Sequence, residues 1–137
     1  MTFKNGFSNG SKLAIAGLSV AGALLMANAS RAGMKGTNQV VNINTATRTA
    51  TGSLGLARNS ANTVEYIGCS SDSNGAVTCS AKNAAGTTAQ CVTSNSSLRE
   101  VLHSLSGDSF LSFTWDTAGG CTRIYVDNYS FWPLKAP

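Results

Sequence analysis

The sequence predicts a mainly β fold, α+β at most: a small antiparallel β domain with one short helix, in the order meander, helix, hairpin, stapled by two disulfides. Three observations predict it. The stretch FLSFTWDTAGGCTRIYV at residues 110–126 alternates apolar and polar side chains on either side of a glycine-containing loop. Residues 63–93 hold three short β-prone runs separated by polar turns that contain glycine. The four cysteines, Cys69, Cys79, Cys91 and Cys121, are an even set in a short chain.

Residues 1–29 read as a secretory signal peptide. Lys4 and Lys12 occur with no acid before residue 13, residues 13–26 are an unbroken run of small and apolar side chains, and Ala27-Asn28-Ala29 places small residues where a signal peptidase reads. The run spans 14 residues, short of the roughly 20 a membrane-spanning helix needs. Cleavage is expected after Ala29, with Ala32 as the alternative. The chain is then secreted or periplasmic, an oxidising setting in which four cysteines form two disulfides.

Residues 30–51 are expected as a flexible lead-in with an edge strand near Val40-Val41-Asn42-Ile43, and residues 52–137 as the disulfide-stapled domain. Within that domain, residues 52–60 (GSLGLARNS) could form a short helix, but the two glycines and the alternation of Leu54 and Leu56 with Gly55 and Ala57 favour an irregular strand. Residues 63–69, 76–82 and 87–93 form the meander, with turns at 70–75 and 83–86. Ser97 and Glu100 fit a capping box. Leu98, Val101, Leu102 and Leu105 follow at helical spacing, and Gly107 is placed to end the helix.

In the hairpin, pairing Phe113 with Ile124, Leu111 with Val126 and Trp115 with Thr122 gathers the large apolar groups on one face. This register leaves Thr117-Ala118-Gly119-Gly120 as the loop and sets Asp116 diagonal to Arg123 as a solvated ion pair. In all, about five strands are expected. The tail that follows, with Phe131, Trp132 and Pro133, is read as extended and packed back on the domain.

Four cysteines allow three connectivities. Cys69–Cys79 with Cys91–Cys121 is favoured, because the first would staple neighbouring meander strands and the second would tie the meander to the hairpin. A zinc site is disfavoured, since the cysteine spacings of ten, twelve and thirty lack close pairs and His103 is the single histidine.

The formal charge of +4 falls to +2 once Lys4 and Lys12 leave with the signal, eight basic against six acidic residues, and the charges are dispersed. Such a surface lacks the clustering that nucleic acid or an anionic membrane requires. No cofactor motif is found. His103 lies three residues after Glu100, a spacing surface helices produce constantly. Asp108 and Asp116 flank a strand, and Asp72-Ser73-Asn74-Gly75 lacks the remaining ligands of a calcium loop.

The aromatic segment gives the one ligand-directed hint. Tyr125, Asn128, Tyr129 and Trp132 bring rings and an amide close together in sequence, a grouping that can hold a glycan; the competing reading makes Phe131 and Trp132 core. The function expected is thus a non-enzymatic, exported binding or structural module for a protein or glycan. An inhibitor of an exported enzyme, a sugar-binding module and, last, a small hydrolase are the alternatives.

Overall fold

In the computed structural model, residues 40–134 are described. The signal-peptide reading of residues 1–29, both cleavage positions and the start of the lead-in lie outside them. The described chain is mostly antiparallel β, with two sheets, two helices and two disulfides. Its elements are β1 (Asn42–Asn44), β2 (Thr49–Ser53), α1 (Leu54–Arg58), β3 (Tyr66–Ser71), β4 (Val77–Lys82), β5 (Thr88–Thr93), α2 (Ser96–Leu102), β6 (Phe110–Trp115) and β7 (Cys121–Asp127).

The meander β3-β4-β5 forms one sheet, and β1-β2-β6-β7 forms the other. That makes seven strands rather than about five. The two additional strands come from residues 42–53, which pair with each other and, through β2, with β6. The expected boundary between residues 51 and 52 therefore falls inside β2, a strand flanked on both sides. Short, Thr-rich and nearly free of large apolar groups, β2 is hard to see in sequence. Its inward residue is Ala50, fully buried beside Phe113.

Residues 54–58 are helical, not an irregular strand. Ser53 caps the turn by accepting from the Leu56 N–H. Gly55 disfavours a helix by propensity, yet the Pro133 carbonyl occupies the place its Cβ would take, so the glycine serves close packing.

The core lies where the sheets share one apolar cluster. Ala50, Leu111, Phe113 and Ile124 come from one sheet, and Ile67, Val77, Cys79, Ala81, Ala89 and Cys91 from the other. Because the meander's inward side chains are small, its burial depends on the larger groups of β6 and β7 and on the crosslinks. The preferred connectivity is the one present, Cys69–Cys79 and Cys91–Cys121. Together with the absence of any helix long and apolar enough to cross a membrane among the described residues, these disulfides fit an oxidising compartment.

The α2 helix begins two residues earlier than a Ser97 cap implies. Asn95 is the cap, its Oδ1 accepting from the N–H groups of Ser97 and Leu98 at 2.9 and 3.2 Å. The helix stops at Leu102, before Gly107, and residues 103–105 tighten into i to i−3 bonds. Leu98, Val101, Leu102 and Leu105 pack, half-buried, against the core, while His103 is exposed.

Three hairpin loops share one construction. Asp72, Asn83 and Asp116 each start a loop in which the side-chain oxygen accepts from backbone N–H groups, and in each a glycine three residues later takes positive φ: Gly75, Gly86 and Gly119 at 83–84°. This is a turn closed by a left-handed residue. It assigns Asp72 and Asp116 to turns. Asp116 accordingly does not pair with Arg123, whose guanidinium lies over the Tyr125 ring, 5.3 Å from its centre.

Candidate functional site

The sequence-designated aromatic residues separate into two roles. Trp132 stacks on Phe110 with ring centres 4.8 Å apart and planes 12° from parallel, and it also touches Phe131 at 4.5 Å. The tail is not extended here: Trp132 N–H bonds back to the Tyr129 carbonyl, and Asn59 donates to the Leu134 carbonyl at 2.9 Å. Asn128 is similarly occupied. Its Nδ2 donates to the Ser104 carbonyl at 2.8 Å and its Oδ1 accepts from Ser109, a fully buried serine, so the amide ties the α2–β6 connection to the end of β7.

Tyr125 and Tyr129 stay exposed, at 40% and 63%. Tyr129 contacts Phe131 at 5.3 Å, whereas Tyr125 carries Arg123. Tyr129 reaches Trp132 through Phe131, while Trp132 and Asn128 also serve the docking of the tail.

The carboxylates are mostly local acceptors. Besides the two loop aspartates, Asp108 accepts from Ser106 and Asp127 from the Tyr129 N–H. Asp108 and Asp116 are separated by the whole of β6, roughly 20 Å at a strand's rise, beyond the reach of a carboxylate pair acting on one bond. Glu65 lines a cleft of about 300 Å³ with Leu54, Ala57 and Ile67. One of its oxygens, Oε2, accepts from Ser60 Oγ at 2.6 Å and Asn62 Nδ2 at 2.7 Å, and these bonds, Ser60 foremost, hold its carboxyl below the usual range. This carboxylate fastens the α1–β3 connection.

A second cleft, of about 390 Å³, opens where the two sheets meet. Sequence reading does not single it out, because its walls come from three distant places: the β1–β2 turn with Thr45 and Arg48, the start of β5 with Thr88 and Gln90, and the end of β6 with Trp115 and the following Asp116. Arg48 is the one described non-glycine residue with positive φ, 48°. That conformation turns its carbonyl toward β6, where it accepts from Trp115 N–H at 3.1 Å.

Trp115 also departs from the expected register. A β-bulge after Thr114 pairs it with Cys121 instead of Thr122, and bulges re-aim side chains next to functional sites. The opposite wall is fastened by the Cys91–Cys121 disulfide and by Val92 N–H donating to the Gly119 carbonyl at 3.1 Å.

The residues lining this stapled cleft have hydrogen-bonding capacity to spare. The Arg48 guanidinium, the Gln90 amide, the Trp115 indole N–H and the Thr45 and Thr88 hydroxyls make no hydrogen bond among the described residues. Asp116 commits Oδ1 to the Ala118 and Gly120 N–H groups, leaving Oδ2 available to accept.

Cys79, Cys91 and Cys121 bring their sulfurs within 4.8 Å of one another. All three are in disulfides, so the group has no thiolate to offer a metal. Compared with known families, curated proteins and solved structures, the chain finds no match in any of the three.

Proposed function

We propose that the chain is a small exported binding module, secreted or periplasmic, that holds a protein or glycan partner at the junction of its two sheets. The observation that carries this reading is the placement of Cys91–Cys121. The bridge joins β5 to β7 beside Gln90 and the 116–120 loop, fixing two walls of a cleft where Arg48, Gln90 and the Trp115 indole make no hydrogen bond among the described residues. A site built this way loses little conformational freedom on binding, which favours affinity.

A second reading, an inhibitor of an exported enzyme, draws on the same loop. Residues 116–120 are held by two bonds to Asp116 Oδ1 and end at a crosslinked cysteine, giving a rigid exposed segment.

The test has two parts. N-terminal sequencing of the protein from the export compartment is expected to start at Ser30. The immobilised oxidised chain is expected to retain material from that compartment, and a Cys91→Ala/Cys121→Ala variant to lose it. Cytosolic protein with an intact N-terminus would exclude export, and equal retention by the variant would exclude the stapled cleft.

A further inference from the structure

Resting on the binding-module reading, we infer that the cleft formed by Arg48, Gln90, Trp115 and Asp116 is a site for a neutral pyranose ring. A pyranose offers a C–H face of low polarity and a rim of hydroxyls that both donate and accept. The cleft has the matching parts. Trp115 supplies a large apolar ring carrying one N–H. The Arg48 guanidinium is a fork of donors, Asp116 Oδ2 accepts, and the Gln90 amide does both.

Charge selects within the sugars. One cation and one carboxylate line the cleft, so no net charge favours a phosphate or a uronate; each finds its complement in a hydroxyl. The volume of about 390 Å³ lies in the small-molecule range of roughly 300–1,000 Å³. The Arg48 conformation fixes one wall, since its carbonyl accepts from the Trp115 N–H and so holds the turn against β6.

Isothermal titration of the oxidised mature chain with cellotetraose, chitotetraose and tetragalacturonate tests this. Saturable heat is expected from at least one neutral tetramer and none from the acidic one. Arg48→Gly is expected to weaken binding at least tenfold while the melting temperature stays level or rises, because glycine takes φ near 48° without strain. Gln90→Ala, at an exposed position on β5, gives a second loss independent of the turn.

Binding of tetragalacturonate alone would overturn the proposal. So would parent affinity in both variants, or a loss confined to Tyr129→Ala. If no tetramer binds while the chain still retains material from the export compartment, the sugar assignment fails and the module reading stands; if retention is absent too, both fail.

Discussion

Cys79 and Cys91 sit directly opposite each other on β4 and β5, yet each is bonded elsewhere, Cys79 to Cys69 and Cys91 to Cys121. The two crosslinks therefore cross the meander in sequence, and the second leaves it for the other sheet. They differ in the loop they close, 10 residues against 30. On loop entropy alone, replacing Cys91 and Cys121 with alanine is expected to destabilise by about 1 kcal/mol more than replacing Cys69 and Cys79, each pair costing about 2–5 kcal/mol. Urea denaturation of the two double variants measures the difference. A greater cost for the Cys69/Cys79 pair would show that strain or packing, not chain entropy, decides.

The loops give a cleaner backbone test. A Cβ at Gly86 would meet nothing within 4 Å, so Gly86→Ala isolates the cost of φ 84°. A loss of about 1 kcal/mol is expected, with Gly86→Asn recovering much of it because asparagine tolerates the left-handed region. Equal stability of the alanine variant and the parent would mean the loop relaxes to another turn.

Where side chains repeat with period two or bracket a turn, the chain could be read directly. Leu111, Phe113 and Ile124 fall into the register their alternation demands, and the favoured cysteine pairing is the one present, although the meander alone sets Cys79 opposite both Cys69 and Cys91. What stayed hidden depends on partners remote in sequence. Nothing near Ala50 announces a strand, because its burial is supplied by Phe113 more than sixty positions away. Gly55 looks like a helix breaker until Pro133 is placed against it. The bulge at Trp115 shifts one residue of an otherwise correct hairpin, and it is that residue which lines the cleft. The turns at 70–75 and 83–86 are legible from their polar residues and glycines, whereas Asp116, read as a partner of Arg123, opens a third loop of the same D/N-x-x-G form.

Glu65 makes stability depend on acid. Its folded-state pKa is lowered from 4.5, first by the Ser60 hydrogen bond. A depressed carboxyl pKa means the stabilisation is fully present above the unfolded value and is lost as pH falls through the folded one. The parent is therefore expected to lose melting temperature below about pH 4.5. Glu65→Gln is expected to show a smaller drop between pH 6 and pH 3, with a lower starting value at pH 6. Thermal scans across that interval decide; identical slopes would remove Glu65 from the acid response.

The docked tail makes the last prediction, in which three substitutions act on two contacts of one segment. Trp132→Ala removes a half-buried ring from Phe110 and is expected to cost about 2–3 kcal/mol, below the roughly 3–5 of a fully buried ring. Trp132→Phe keeps a ring to stack and deletes an indole N–H that is buried without a partner among the described residues; a change under about 1 kcal/mol is expected, since removing an unsatisfied donor offsets lost area. Gly55→Ala acts from the other side, forcing the Pro133 carbonyl off α1. Because Trp132→Ala and Gly55→Ala both release the same segment, their combined cost is expected to fall short of the sum, and chymotrypsin is expected to cut at Tyr129 and Phe131 faster in either variant. A Trp132→Ala protein as heat-stable as the parent would mean the tail contributes nothing to the fold, and would return Tyr129 and Trp132 to the role of a ligand platform.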